Sequence, residues 1–203
     1  DEPFLTSTPD PLQTAFIAGI VRDIRNSVSL PLGVNVQFND WQSEMAIAHA
    51  CGADFIRVEV FVDTVVSAMG IIEPCASKLT RYKKILNADV MIWADIQTKY
   101  TKNIVPQSLI QSAEDAEKAQ ADAIIVTGAA TGKETPIEDI IRVKEVVSIP
   151  VLAGSGTTVQ NVGDVLSAAD GAIVGSALKV DGKAVNTVSY ERALAFMNQT
   201  KEN

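Results

Sequence analysis

A chain of 203 residues, of which 47% are hydrophobic, is long enough for one domain with a substantial core. Its formal net charge of -8 argues against nucleic acid and anionic lipid surfaces as main partners. No apolar run is long enough to cross a bilayer, so we expect a cytoplasmic protein without a transmembrane segment.

The scarcity of cysteine and histidine excludes several kinds of site. Cys51 and Cys75 lack metal-ligand spacing and are too few for a disulfide framework, so we expect buried thiols in a reducing cytoplasm. His49, the only histidine, lies in an apolar run, and we expect it to pack on a helix face. A histidine-based catalytic triad and a multi-histidine zinc site are therefore excluded.

The chain begins without an initiator methionine, and we expect this beginning to be a cut rather than a natural start. From Pro11 the apolar residues follow helical spacing. Short apolar strands then alternate with amphipathic helices, which is the pattern of a parallel sheet covered by helices. We predict strands at 32–38, 55–61, 90–96, 123–127, 151–153 and 172–174, and helices at 41–50, 76–86, 108–120, 136–147, 159–168 and 190–198.

Two helix starts have recognisable signals. Thr135, Pro136 and Glu138 are interpreted as a capping box with proline in the first turn. The helix 159–168 is expected to open at Thr157 or Thr158.

The length of the repeating unit favours a barrel. From Pro31 onward the six units average about 29 residues, close to the roughly 31 of an eight-unit barrel of about 250 residues. An open doubly wound sheet is the competing fold, but its glycine loop normally follows the first strand. Here the glycine loops follow the last two strands. We therefore predict an α/β fold, a TIM (β/α)8-type barrel that lacks its first two strands, as a single domain over residues 1–203.

Glycine turns end the last two predicted strands. They consist of Gly154, Ser155 and Gly156 in the first turn and of Gly175 and Ser176 in the second. One helical crossover separates the two parallel strands, so both turns lie at the same edge of the sheet. Glycine lets the backbone approach a ligand, and the free amides at a helix start attract an oxyanion. Although a single turn of this kind is often only a tight connection, the pair predicts a phosphate site like that of barrels after strands seven and eight.

Three earlier strands alternate between polar and apolar residues. Because successive side chains of a strand point to opposite faces, each strand has an apolar face toward the helices and a polar face inward. The inward residues are Gly33, Asn35 and Gln37 in the first strand, Arg57 and Glu59 in the second, and Trp93, Asp95, Gln97 and Lys99 in the third. Charged residues inside strands are costly unless they are paired or hydrated, and the open carboxyl end of a barrel supplies water and ligand.

These charged residues suggest acid–base chemistry. Asp95 and Glu59 are candidates for proton transfer, and Arg57 or Lys99 for binding an anionic group or a developing negative charge. The alternative is a structural cluster in which Arg57 pairs with Glu59 or Asp95 and closes the barrel interior. No cofactor is evident, although carboxylates on neighbouring strands could hold a magnesium ion.

Two connecting segments have further possible roles. The segment 126–136 contains Thr127, Gly128, Thr131 and Gly132, and is either a lid over the site or a long loop. The loop 62–75 is apolar, so we expect it to pack against another apolar surface, for example that of a neighbouring subunit in a homo-oligomer.

The chain resembles the BtpA/SgcQ family. The resemblance is carried, in order, by PLGVNVQFND, GADFIRVEVF, LTRYKKILNADVMIWADIQTKY, AIIVTGAATGKETPIEDI and IPVLAGSGTTVQNVGDVLSAADGAIVGSALKVDGK. It implies a TIM barrel with a site at Asn35, Asn39, Asp40, Arg57, Asp95, Lys99, Thr127, Gly128, Thr131, Gly132, Gly154, Ser155, Gly156, Gly175 and Ser176. The family often has Asn in place of Glu59 and His in place of Tyr100, which argues against a mechanism that depends on Glu59 alone.

The resemblance implies two kinds of function. One family member lies among genes of sugar transport and metabolism, so we expect an enzyme, a lyase, isomerase or hydrolase, that acts on a small phosphorylated metabolite. The chemistry would lie among Asp95, Lys99, Arg57 and Asn35. Another member is a thylakoid-associated factor needed for photosystem I stability. The alternative is therefore a non-catalytic assembly factor, for which peripheral membrane association would be expected.

Overall fold

The structure is a computed structural model that describes residues 10–36, 38–128 and 134–201. The helices are α1 (Pro11–Ser27), α2 (Trp41–Cys51), α3 (Ala76–Leu86), α4 (Leu109–Lys118), α5 (Ile137–Lys144), α6 (Val162–Ala168) and α7 (Tyr190–Lys201), with 3-10 turns at Ser176–Leu178 and Val180–Gly182. The strands are β1 (Gly33–Val34), β2 (Phe55–Val58), β3 (Val65–Ser67), β4 (Gly70–Ile72), β5 (Met91–Ile96), β6 (Lys102–Asn103), β7 (Ala123–Val126), β8 (Val151–Ala153) and β9 (Gly171–Ala172).

The main sheet has six parallel strands in the order β1-β2-β5-β7-β8-β9. Each strand is added to the same edge as the chain proceeds, whereas the strand order of a doubly wound sheet reverses. This order, with helices on one face, is that of a (β/α) barrel. The predicted α/β fold is confirmed as a curled six-stranded part of a TIM barrel.

The main core lies between the sheet and its helices. Ile56 of β2 and Ile92 of β5 are fully buried there with Met45 of α2 and Leu79 of α3. Burial of each such side chain stabilises the fold by about 1.5–3 kcal/mol. The alternation predicted for these strands is therefore present, and their other residues lie on the face away from the helices.

That second face is apolar at the amino ends of the strands. The rings of Phe55 and Trp93 stack with centroids 3.7 Å apart, and Ala123, Ile125 and Leu152 form a cluster beside Trp93. A Cβ on Gly33 would lie 2.1 Å from the Phe55 ring, so this glycine makes room for the stack. The polar residues Arg57 and Asp95 lie farther along these strands, toward the carboxyl ends.

A recurring Ala-Asp pair joins neighbouring strands at their amino ends. Asp54, Asp122 and Asp170 each accept a hydrogen bond from a backbone N–H of the preceding strand unit, at Leu32, Ile92 and Val151, over 2.7–2.8 Å. The sequence reasoning did not use this repeat, although the pair is visible before β2, β5, β7 and β9. Its position fits the rule that the amino-terminal face of a barrel serves stability.

Several strands end earlier than predicted, because side chains take over their backbone hydrogen bonds. The N–H of Val36 donates to a Glu44 oxygen over 2.6 Å, so β1 ends at Val34 rather than at residue 38. The N–H of Val60 donates to the side chain of Asn39 over 2.8 Å, so β2 ends at Val58.

The two predicted helix starts are wrong in detail. The Thr135 hydroxyl does not cap α5 but donates to the carbonyls of Val126 and Ser155, which joins the ends of β7 and β8. Helix α6 begins at Val162, after a turn that the side chain of Asn161 holds by accepting from the N–H of Thr158.

The apolar loop 62–75 contains β3 and β4, which form a small antiparallel sheet with β6 in the order β4-β3-β6. Val65 and Ile72 pack on Phe38 and Val60 of the same chain, so this buried side needs no second subunit. Val66 and Ile71, which pair across β3 and β4, are exposed on the other side. A homo-oligomer stays a prediction.

The remaining expectations concern Cys51, Cys75 and His49. Both thiols are free and buried, as predicted. The packing predicted for His49 is wrong, because it lies exposed in the last turn of α2.

In the parts of the chain that the structure describes, no helix combines the length and the apolar character that crossing a membrane requires.

Candidate functional site

Four of the predicted catalytic residues meet at the carboxyl ends of β1, β2 and β5, on the face away from the helices. They are Asn35, Arg57, Glu59 and Asp95, and hydrogen bonds join them. We call them, together with Lys99 and Glu44, the polar cluster. Asn35 is exposed, so the cluster opens to solvent on its side.

Arg57 and Asp95 form a two-point ion pair across β2 and β5. Nε and Nη2 of Arg57 donate to the two oxygens of Asp95 over 3.1 and 2.9 Å, and the Asp95 side chain is fully buried. Burial alone would lower the pKa of Arg57, but the charge and hydrogen bonds of Asp95 outweigh it and raise that pKa. The pair predicted by the structural alternative is thus present, and its carboxylate also accepts from the hydroxyl of Thr98 over 3.2 Å.

The Asn35 amide joins two glutamates. Its Nδ2 lies 2.9 Å from Glu59 Oε1, 3.1 Å from Glu44 Oε1 and 2.9 Å from the Arg57 carbonyl oxygen. Both glutamates are buried, and the second oxygen of each has no hydrogen bond to a described residue.

Burial shifts the proton affinity of both carboxyls upward. It raises the pKa of Glu59 to about 7, with a further contribution from the negative charge of Asp95. It also raises the pKa of Glu44 well above its ordinary value, with the charge of Glu59 adding to the effect. A group with a pKa near 7 can both take and give a proton at neutral pH.

Lys99 follows β5, which ends at Ile96 rather than continuing in the predicted alternation. It is half-buried, and burial together with the positive charge of Arg57 lowers its pKa. Gln97 and Tyr100, on either side, have positive φ angles of 48° and 62°. Such backbone strain in non-glycine residues is typical of functional sites.

A magnesium site stays a prediction. In the described residues, no group of three or more His, Cys, Asp or Glu side chains could hold a metal ion. Arg57 already donates hydrogen bonds to both oxygens of Asp95. Of the two carboxylates predicted to bind magnesium, this leaves Glu59.

The loops after β8 and β9 enclose a cavity of about 430 Å³, which we call the late-loop cavity. Gly156 and Ser176, one from each predicted glycine turn, both line it. Its other lining residues are Thr157, Thr158, Val159, Gln160, Ala177, Gly182, Arg192 and Ala195. Gly156 has a φ of 74°, which only glycine adopts readily.

Two side chains give the late-loop cavity its chemical character. Arg192 of α7 contributes the positive charge, and its Nε donates to the Ala177 carbonyl over 2.8 Å. The Thr157 hydroxyl oxygen is buried and has no hydrogen bond to a described residue. A cation in the lining of a cavity suits an anionic ligand.

The other residues of the predicted phosphate site do not line the late-loop cavity. A Cβ on Gly154 would lie 2.3 Å from the Thr127 methyl, so close packing between β7 and β8 accounts for this glycine. The Ser155 hydroxyl accepts from the Gly128 N–H over 2.9 Å, and Gly175 is exposed beyond β9.

The segment 126–136, predicted as a lid or a long loop, is described at residues 126–128 and 134–136. Thr127 and Gly128 lie at the end of β7, and the Thr127 hydroxyl has no hydrogen bond to a described residue. Thr131 and Gly132 lie outside the described residues, as does Gln37. The lid stays a prediction.

Sequence reasoning missed Glu44 and Arg192. Glu44 shares a helical face with Ala48 and Cys51, so a carboxylate on an apolar stripe was a usable signal. Arg192 had no such signal, because only the return of α7 to the ends of β8 and β9 brings it to the late-loop cavity.

The strand order and the polar carboxyl ends define a TIM-barrel protein, and solved structures agree. The chain is similar to 3-hexulose-6-phosphate synthase from Salmonella typhimurium, with a TM-score of 0.64 and 18% identity, over 91% of this chain and 80% of that one. It is also similar to thiamine phosphate pyrophosphorylase from Pyrococcus furiosus, with a TM-score of 0.63 and 19% identity, over 96% and 80%. At these identities the likeness shows the fold alone.

The chain belongs to the BtpA family, whose model matches residues 1–202. An uncharacterized protein of Methanocaldococcus jannaschii is 38% identical over 200 residues, which are 98% of this chain and 75% of the relative. The photosystem I biogenesis protein BtpA of Synechocystis is 36% identical over an alignment of 204 positions, which covers 100% of this chain and 71% of the relative.

Proposed function

We propose that this protein is an enzyme that acts on a small phosphorylated, sugar-phosphate-like metabolite. The phosphate binds in the late-loop cavity, and proton transfer takes place at the polar cluster. The observation that carries the proposal is the cavity itself, which brings Gly156 and Ser176 together with Arg192 and Thr157.

Electrostatics favour local recognition of the phosphate. Because the protein has a net charge of -8, its overall field repels anions. An anionic ligand must therefore be held by nearby donors, and Arg192 is the only Lys or Arg among the described residues that line the cavity. Arginine can bind two phosphate oxygens at once.

The spacing of the strands suggests the size of the ligand. The polar cluster includes Asp95 on β5, and the cavity follows β8, which is two strands away. At about 4.8 Å per strand, the two regions are roughly 10 Å apart along the sheet. A compact metabolite with a phosphate at one end spans such a distance, and both solved neighbours have a phosphate compound in their names.

The polar cluster supplies the groups that proton transfer needs. Glu59, whose pKa burial raises to about 7, takes or gives the proton. The half-buried Lys99 stabilises negative charge that develops on the ligand, because Asp95 already balances the charge of Arg57. Asn35, which is exposed and bound to Glu59, orients this carboxyl and is accessible to the ligand.

Thermal unfolding in the presence of sugar phosphates and triose phosphates tests the proposal. Binding at 100 times the dissociation constant stabilises by about 2.7 kcal/mol, which raises Tm by roughly 5–10 °C. Arg192→Ala should abolish the response. Arg142→Ala, which removes an exposed arginine paired with Asp139, should leave it unchanged. The proposal fails if the wild-type protein responds to no member of the panel.

A second candidate function is a non-catalytic assembly factor, which the name of the Synechocystis relative favours. The exposed Val66 and Ile71 on the small sheet would suit contacts with another protein. Absence of any response in the thermal panel would favour this function.

A further inference from the structure

Glu44 is a buried acid that the proposed reaction does not use. It lies in the first turn of α2, is fully buried, and reaches from the helix layer to the end of β1. There its Oε1 accepts from the Val36 N–H over 2.6 Å and from the Asn35 amide over 3.1 Å.

The hydrogen-bond donors around Glu44 and Glu59 are too few for two charged carboxylates. The Asn35 amide has two hydrogens, but three oxygens lie within 3.1 Å of its nitrogen. Oε2 of Glu44 and Oε2 of Glu59 are buried and accept nothing from any described residue. A buried charge without donors is costly, and a proton on one carboxyl removes that cost.

The surrounding charges allow one ionised glutamate but not two. The titratable and charged groups around the pair are Asp40 before α2, Arg57 of β2, Asp95 of β5, Lys99 after β5 and Cys75 before α3. Arg57 is already neutralised by Asp95, and Cys75 is a buried thiol whose pKa burial raises. Lys99 is the half-buried cation left to balance one carboxylate.

We propose that Glu44 keeps a proton at neutral pH and is a positioning residue that leaves Glu59 to gain and lose its own proton. The neutral acid at position 44 supplies an O–H group beside Glu59 and avoids a second buried negative charge. The protonation of Glu44 is inferred independently of the proposed function. Only the statement that Glu59 gives its proton to a bound metabolite rests on that function. The raised pKa of Glu44, caused by burial and by the charge of Glu59, agrees with it.

Carbon-13 NMR of the ligand-free protein, labelled at the glutamate carboxyls, tests this directly. The resonance lost in E44Q should stay at the carboxylic-acid position at neutral pH. The resonance lost in E59Q should move with a midpoint of about 7. In E59Q the Glu44 resonance should begin to move at lower pH, because the neighbouring charge is gone.

Glutamine reproduces the shape of a neutral acid, so E44Q should fold and keep the Glu59 midpoint. E138Q, at an exposed site on α5, is the control and should move neither resonance. A carboxylate position for Glu44 at pH 7, a Glu59 midpoint near its ordinary pKa of 4.5, or failure of E44Q to fold would each overturn the proposal. Because no phosphate is added, these outcomes are independent of whether the late-loop cavity binds one.

Discussion

At the scale of single residues, the ion pair of Arg57 and Asp95 has the largest predicted effect on stability. Asp95→Asn leaves a guanidinium that is mostly buried without its counter-charge. Removal of one partner of a buried pair costs roughly 3 kcal/mol or more, so we expect such a loss in the free energy of unfolding by urea.

The exposed pair of Arg142 and Asp139 provides the control, since its atoms are 3.5 Å apart at the surface of α5. Asp139→Asn should change the free energy of unfolding by about 0.5 kcal/mol or less. Equal effects of the two substitutions would show that the Arg57–Asp95 pair is not buried as described.

Glu59 should make stability depend on pH. Because its pKa in the folded protein is about 7 and its ordinary value is 4.5, the folded state binds the proton more tightly. The resulting stability is fully present below about pH 4.5 and is lost as pH rises through about 7. From pH 5 to 8, wild type should lose about 2–3 kcal/mol more than Glu59→Gln. Parallel pH profiles for the two proteins would contradict this.

Much of the polar cluster could be predicted from the sequence, because strand alternation has a period of two. That period alone puts Arg57 and Asp95 on one face, and parallel pairing brings them together. Glu44 could not be assigned a partner in this way, since only the docking of α2 against β1 brings it to Asn35.

At the scale of elements, Gly154 fixes how closely β8 approaches β7. Alanine there would place a Cβ 2.3 Å from the Thr127 methyl and 2.7 Å from the Ile125 methyl. We expect Gly154→Ala to lower Tm through a loss of about 1–3 kcal/mol.

Gly175 is the matched control, because a Cβ at Gly175 would meet nothing within 4 Å. Gly175→Ala should change stability by about 0.5 kcal/mol or less. If Gly154→Ala is equally harmless, close packing does not explain the glycine.

The Ala-Asp repeat makes a separate prediction for the amino ends of the strands. Asp122→Ala removes the acceptor for the Ile92 N–H and should cost about 1 kcal/mol in urea unfolding. Asp89, the equivalent residue before β5, is exposed and accepts no hydrogen bond from a described residue. Asp89→Ala should therefore be nearly neutral, and a similar cost for both would contradict a role for the bond.

Sequence reasoning was less accurate for element ends than for element types. The hydrophobic pattern could not show that Glu44 and Asn39 take over the backbone hydrogen bonds of Val36 and Val60. It also could not show that Thr135 joins two strands rather than capping a helix, because both roles require the same residue type.

At the scale of the whole molecule, strand order decides where function can lie. Parallel strands added to one edge bring all carboxyl ends to one side, so the polar cluster and the late-loop cavity lie at the same end of the sheet. Because the net charge is negative, the proposed anion binding would depend on the cations at this end, above all Lys99 and Arg192.

The central claim is that one ligand occupies both regions, and NMR of the isotope-labelled protein with glucose 6-phosphate or ribose 5-phosphate tests it most directly. We expect the sugar phosphate to shift the amide signals of Gly156 and Ser176 together with the side-chain signals of Arg57 and Asn35. Inorganic phosphate should shift only the first two. Sugar-phosphate shifts confined to one region, or shifts in neither, would contradict the account.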